Sequence, residues 1–479
     1  MILNKMRANA ALAVCVGLGL RLLFVLRFPA FDTGDAPFYI RLAANWLRNG
    51  VYGFSINGRL APVDMRVPGY PAFLAAIFAF AGNSQRAVML VQVAVDLATC
   101  FLIVAMAILL ARPDSRRRVA LAALWLAALC PFIANYTAVV LCEVLVTFLT
   151  ALALLVLLET EIGPPSAIES RSSRGTNMPW FLAGILAGLG TLVRPETPLV
   201  LAAAGLTAAA KWWRPRDWRK IARVGLLMAA GLALPLLPWA ARNWRTFHEV
   251  QFLAPRYSQL PGEVIPRGFT AWTNTWMWRM RDVYLVTWNL NDAPISMDDI
   301  PLGAFDSPQE RDRVQALLDN YDDTLTETNE MDAQFGEIAR ERTTRHPLRT
   351  YFKIPALRCF ALWFTPRTEL LPLAGHLTPV YKEWDEDRPD FLMTLALAAL
   401  NVGFVALGIV GLFKAWGRPG VMFLLLFVIL RTIFIASFAD SPEPRYVLEC
   451  FPIVLAFGAL AFERRVRPKD RQLSPTGSG

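Results

Sequence analysis

Long apolar runs recur along the chain, and about 20 mainly apolar residues are what a helix needs to cross the hydrocarbon core of a bilayer. Ten segments fit: 8–28, 87–111, 119–138, 141–158, 179–193, 195–210, 221–241, 391–413, 419–438 and 446–462. In lipid the backbone must satisfy its own N–H and C=O groups, so such runs fold as helices. The predicted fold class is all-α integral membrane, a bundle of about ten transmembrane helices. The first run reads as a retained helix, not a cleaved signal, because Arg21 interrupts it and no small-residue cleavage site follows. Of 479 residues 55% are hydrophobic and 18% charged, against about 25% charged in ordinary soluble domains. That excludes a disordered chain and argues against a cytosolic enzyme. The six cysteines form no C-x-x-C pair, and neither H-E-x-x-H nor G-x-x-x-x-G-K-[ST] occurs, so zinc proteases and P-loop ATPases find no support.

Basic residues in short loops set orientation. With ten alternating spans, Lys5 and Arg7, the cluster Arg112 to Arg118, Arg171 and Arg174, Lys211 to Arg223, Lys414 and Arg418, and Arg464 to Arg471 all fall on one side. Both termini are thus expected in the cytoplasm. Those loops hold 21 Lys or Arg and 7 Asp or Glu, a balance of +14, while the rest of the chain carries −5, so the net +9 reports topology rather than nucleic-acid binding. The expected organisation is an N-terminal transmembrane module, 1–241, containing an outer loop at 29–86; an extracytoplasmic loop subdomain, 242–390; C-terminal helices, 391–465; and a disordered tail, 466–479. Within 281–345 fifteen Asp or Glu face six Arg, as expected of a solvated subdomain. Segments 70–81 and 352–364 are apolar but too short to span and read as re-entrant or interfacial helices.

Charges inside apolar runs are costly and mark function by default. Glu143 is the only charged side chain between Arg118 and Glu159, which makes it a candidate site carboxylate. Asp96 is alone in 87–111 and reads as structural; Arg431 is alone in 419–438 and suits an internal pair or an anion equally; Arg21, near a helix end, is expected to snorkel to the interface. In the outer loop, Phe31-Asp32-Thr33-Gly34-Asp35-Ala36-Pro37-Phe38-Tyr39 leads into a helical pattern ending at Asn49-Gly50. Asp35 there is a helix cap, a catalytic carboxylate, or both.

An outer-loop Asp35 four residues before Tyr39, an alanine-rich helix ending in Gly50-x-Tyr52, and Arg66-x-Pro68-Gly69-Tyr70-Pro71 together resemble the GT-C polytopic glycosyltransferases. The branch most similar is family 39-like, which includes protein O-mannosyltransferases and lipid A aminoarabinose transferases. Glu143, the run from Gly188 to Glu196, the run from Pro238 to Trp244, and Glu443-Pro444-Arg445-Tyr446 extend the resemblance over most of 1–260 and 390–465. Relatives often carry an adjacent acidic pair in the first loop, whereas Ala36 follows Asp35 here, which puts in question a metal site built on a second acid.

The resemblance implies an inverting transfer of a sugar from a polyprenyl-phosphate carrier to a lipid, glycan or protein acceptor on the extracytoplasmic face, in a bacterial inner membrane. It implies catalytic roles for Asp35, as general base, and Glu143. Arg66, Arg194, Arg242 and Arg445 are candidates for the donor phosphate, because charge developing on the departing phosphate needs cations. Tyr39, Tyr70, Glu196 and Tyr446 are candidate lining residues. No metal ligand is assigned, no cofactor is required with certainty, and a divalent metal stays open. Membrane lipids are partners and nucleic acid is not. Other readings are a lipid or glycan transporter or flippase, and a glycan ligase; one-sided long loops without an internal repeat speak against a transporter.

Overall fold

The structure is a computed structural model and describes residues 2–56, 58–162, 173–214, 216–255, 264–377 and 380–464. The expectations for Arg171 and for the tail 466–479 lie outside the described residues. Six helices are long and apolar enough to cross a membrane: Asn4–Arg27, Gln85–Leu110, Glu143–Ile162, Trp218–Phe247, Arg388–Ala415 and Val421–Phe438. A seventh span results if Arg116–Leu129 and Pro131–Ala138, bent by 52°, count as one. Pro131 lacks the N–H that would continue the first helix, which accounts for the bend. The other expected spans are helical too, at Ser173–Thr191, Leu199–Trp213 and Phe451–Leu460, but none satisfies length and composition alone. Among the described residues the supported count is thus six or seven, where about ten is expected from the sequence.

The helices pack where small residues allow backbones to meet. Gly184 and Gly188 on Ser173–Thr191 lie against Gly231 and Leu232 of Trp218–Phe247; a Cβ on Gly184 would stand 2.5 Å from the Met228 carbonyl oxygen, and one on Gly231 2.3 Å from that of Phe181. Arg21 does not snorkel. It is fully buried, donates from Nε to Asp96 Oδ2 at 2.6 Å, and spends its Nη groups on the carbonyls of Gly17, Ala127 and Ala128. The first helix, Gln85–Leu110 and Arg116–Leu129 are therefore joined by one guanidinium. Asp96 has the structural role expected of it.

Gly69–Ala81 and Ile354–Phe364 form the two short apolar helices. Two strands, Gly53–Ile56 and Arg59–Pro62, pair antiparallel across Gly58, whose φ of 77° suits the turn. A second hydrophobic core, apart from that of the bundle, gathers Phe269, Trp272, Trp276, Val314, Leu318 and Phe335. Its helices Arg267–Thr273 and Asn329–Arg345 meet at Asp332, which accepts from the backbone N–H groups of Gly268 and Phe269 at 2.6 and 2.9 Å.

Replacing Asp96 by Ala strands a buried guanidinium, a change that costs about 3–5 kcal/mol. A lower thermal midpoint in lipid nanodiscs is expected, and replacing Arg21 and Asp96 together by Leu should lose less than the single change.

Candidate active site

Asp35 precedes the helix Ala36–Asn49 at its N-cap position but makes no side-chain capping hydrogen bond. Pro37 in the first turn starts the helix without that help. The carboxylate instead accepts from Arg66 Nη2 at 3.0 Å, with Arg445 Nη2 4.0 Å from its other oxygen. Its side chain keeps 30% of its exposure, so solvent or a ligand can reach it. Burial pushes this carboxyl up, but the guanidiniums of Arg66, Arg445 and Arg194 outweigh that and hold it below the usual carboxylate range. Asp32 points elsewhere, accepting from Gln85 at 2.9 Å.

Arg66 comes to Asp35 through the turn that follows it. The Gly69 N–H donates to the Leu192 carbonyl at 2.6 Å, and a Cβ at Gly69 would lie 2.5 Å from that oxygen. The turn is thereby pressed against the segment carrying Arg194. Arg194 stands 3.5 Å from Glu143 Oε1 and 3.7 Å from Glu196 Oε2. Glu143 opens the helix Glu143–Ile162, is 3% exposed, and has an Oε2 without a hydrogen-bond partner. Arg445 reaches Glu143 Oε1 at 3.9 Å and holds Glu443 at 2.6 Å; the guanidiniums of Arg194 and Arg445 lie 4.7 and 5.2 Å from the Tyr446 ring centroid. Beneath the cluster Tyr39 and Tyr70 meet edge-on at 5.1 Å, and the Tyr70 hydroxyl donates to Gln92 at 2.8 Å.

Asp35, Glu143, Arg66, Arg194, Glu196, Arg445 and Tyr446 thus converge on one place. Arg242 does not join them. It donates to the carbonyls of Val63 and Tyr52, both at 2.9 Å, and stacks on Tyr52 and Trp239, so it clamps the base of the hairpin. Sequence reasoning assigned no role to two acids. Glu443 grips Arg445 and accepts from Ser441 and Tyr446 hydroxyls at 2.8 and 2.9 Å. Glu449 pairs with Arg431, accepts from Thr150 at 2.8 Å, and is buried. Glu449 is the only charge in 446–462, so the argument that singled out Glu143 finds it as well. Among the described residues no group of three or more His, Cys, Asp or Glu is placed to hold a metal ion.

Residues 65–239 match the family described as dolichyl-phosphate-mannose-protein mannosyltransferase. That match bears out the resemblance of this chain to the GT-C glycosyltransferases. No curated protein matches the chain. Among solved structures, the oligosaccharyltransferase AglB of Archaeoglobus fulgidus, in complex with an inhibitory peptide and a dolichol-phosphate, is similar at 13% identity and a TM-score of 0.48, covering 95% of this chain and 50% of its own. ArnT of Cupriavidus metallidurans, in the apo state, is similar at 15% identity and a TM-score of 0.39, covering 94% and 77%. The chain spans about half the length of the archaeal oligosaccharyltransferases it matches.

Gly69→Ala forces a carbonyl contact apart and is expected to cost about 1–3 kcal/mol. It should lower the thermal midpoint, whereas Gly19→Ala, with nothing within 4 Å of the added Cβ, should not.

Proposed function

We propose that the chain is an inverting glycosyltransferase moving a sugar from a polyprenyl-phosphate carrier to an acceptor hydroxyl, with Asp35 as general base. The observation that carries this reading is an Asp35 that neither caps its helix nor is sealed from solvent, yet is held among three guanidiniums. In the reaction the acceptor oxygen bonds to the anomeric carbon and its proton passes to Asp35. The bond from that carbon to the phosphate oxygen breaks, and its electron pair leaves with the phosphate. One base and one displacement give inversion.

The departing phosphate needs cations that are free to turn to it. Arg194 suits this, since its contacts at 3.5 and 3.7 Å are ion pairs without good hydrogen-bond geometry, leaving its donors available. Arg445 contributes charge but sits in a closer ion pair, its Nε 2.6 Å from Glu443 Oε2. Glu143 and Glu196 hold Arg194 in place until phosphate arrives. The basic loops favour a cytoplasmic side opposite the site, so transfer occurs on the extracytoplasmic face of the membrane.

Asp35→Asn in vesicles supplied with a panel of radiolabelled polyprenyl-phosphate hexoses and pentoses should lower transfer by about 10²–10⁴-fold. Unchanged transfer would remove Asp35 as the base, and a labelled sugar that crosses the vesicle without a new glycosidic bond would favour a transporter. Because the base must be ionised, activity falls as pH drops through the Asp35 pKa, which lies below the ordinary value of about 3.9. Arg66→Gln removes the largest of the attractions that hold it down, so the acid limb of the rate profile should move to higher pH.

A further inference from the structure

A cavity of about 200 Å³ lies between the second core, the short helix Ile354–Phe364 and the loop after it. Trp278, Tyr284, Phe360 and Phe364 supply aromatic wall, and Arg279, Arg281 and Glu369 supply charge, with the Arg279 guanidinium 5.3 Å from the Trp278 ring centroid on one side of that ring. Trp272 and Trp276 from the same tryptophan cluster are buried in the second core, which leaves Trp278 on the cavity wall. Two buried arginines fix these walls. Arg358 donates to the Met277 carbonyl, next to Trp278, at 2.9 Å and to Asn274 at 2.6 Å. Arg367 donates to the Pro444 carbonyl at 3.2 Å, which ties the loop bearing Glu369 to the segment bearing Arg445. Such a cavity is preformed.

It also adjoins the site. Glu369 Oε1 accepts from the buried Tyr136 hydroxyl at 2.9 Å, and Tyr136 lies close enough to Glu143 and Arg445 to feel their charges. Tyr284, on the cavity wall, feels Glu443 and Arg445 in the same way. The other oxygen of Glu369 has no hydrogen-bond partner among the described residues.

We propose that this cavity binds the acceptor, and that the acceptor is a carbohydrate presenting one sugar ring. The proposal rests on the glycosyltransferase reading above. Aromatic faces take the C–H face of a sugar ring, and an ionised carboxylate only accepts, so it selects a ligand rich in hydroxyl donors. A prenyl chain offers nothing to Glu369, and the two guanidiniums on the wall are already matched to carboxylates, Arg279 to Asp282 at 3.5 Å and Arg281 to Asp299 at 3.4 Å, which disfavours a phosphate. The volume is below the roughly 300–1,000 Å³ of sites for drug-sized ligands, which suits one ring with the remainder of the glycan outside.

The test is saturation-transfer NMR on the full chain in nanodiscs, with methyl α-mannoside, methyl β-glucoside, methyl β-galactoside and N-acetylglucosamine as probes. At least one probe should bind wild type, and Trp278→Ala and Glu369→Gln should each weaken it about tenfold. Trp278→Phe keeps an aromatic face and the fold, and should retain most binding; Trp213→Ala, 60% exposed and outside the cavity, should retain all of it. Binding by none of the probes, or binding indifferent to Trp278 and Glu369, overturns the proposal. So does displacement of the probe by polyprenyl monophosphate, which would make this the donor's site, or the same residue dependence for a Ser/Thr peptide in place of a glycoside. Binding is read on the wild-type chain without turnover, so it is scored apart from the transfer lost in Asp35→Asn. Lost transfer in that variant with no probe binding leaves the enzyme reading intact and sinks the cavity, and the converse pair of results does the reverse.

Discussion

The site depends on charge compensation in a place with little water. An isolated ionised side chain is expensive to bury, and a pair survives only where its remaining donors and acceptors are met. The deepest pair, Arg431 and Glu449, is fully enclosed and most of its groups are met, Thr150 donating to the carboxylate and Arg431 Nε to the Tyr446 carbonyl at 2.9 Å, while Arg431 Nη1 has no hydrogen-bond partner. That bond sets the backbone of Tyr446, whose ring in turn receives Arg194 and Arg445. Three elements, the helices beginning at Glu143 and Val421 and the turn at Pro444–Cys450, are therefore locked before any catalytic group is counted.

Above that base the contacts loosen in a graded way. Glu443 holds Arg445 at 2.6 Å and Arg66 holds Asp35 at 3.0 Å, whereas the contacts of Arg194 and the bridges from Arg445 to Asp35 and Glu143 run from 3.5 to 4.0 Å. Arg66, Arg194 and Arg445 meet Asp35, Glu143, Glu196 and Glu443, so the cluster carries one more negative than positive charge when all are ionised. A phosphate does not enter a bare cationic hole here. On the proposed reading it competes with carboxylates for Arg194, and a site of that design releases its product more readily than one built of unpaired arginines.

Much of this was legible in the sequence for one physical reason. A lone charge in an apolar run is conspicuous, so Glu143, Asp96 and Arg431 stand out, and Arg66, Arg194 and Arg445 ride on short turns rich in Gly and Pro. Partners were less legible, because pairing is a property of packing: Arg21 looks like an interfacial anchor until Asp96, 75 residues away, is placed beside it. Arg242 resembles the other arginines in flanking sequence, yet the carbonyls of Tyr52 and Val63 claim it. The hairpin that makes that claim was announced by Asn57-Gly58 between Phe54-Ser55-Ile56 and Arg59-Leu60-Ala61, a turn signal overshadowed by the hydropathy of the rest. Among the described residues the supported span count falls short of ten because Pro131 divides one apolar run into two helices and because Ser173–Thr191, Leu199–Trp213 and Phe451–Leu460 do not satisfy length and composition.

The segment least legible in the sequence is the one between residues 261 and 390. Its walls around the cavity come from distant pieces, Trp278 and Tyr284 on one side and Phe364 and Glu369 on the other, and Arg358 joins them by donating to the Met277 carbonyl and to Asn274. The motifs that carry the resemblance lie outside that segment, and the family match ends at residue 239. Function resides in sites placed on a fold, and one fold serves many substrates by changing the parts that touch them. Of the groups proposed to move the sugar, Arg66 and Arg194 sit within that match and Asp35 just before it. The surface proposed to choose the acceptor is built largely from residues outside the family match, reaching the chemistry through two bonds, Tyr136 to Glu369 and Arg367 to Pro444. That division lets acceptor preference change without disturbing the charge balance on which the transfer depends.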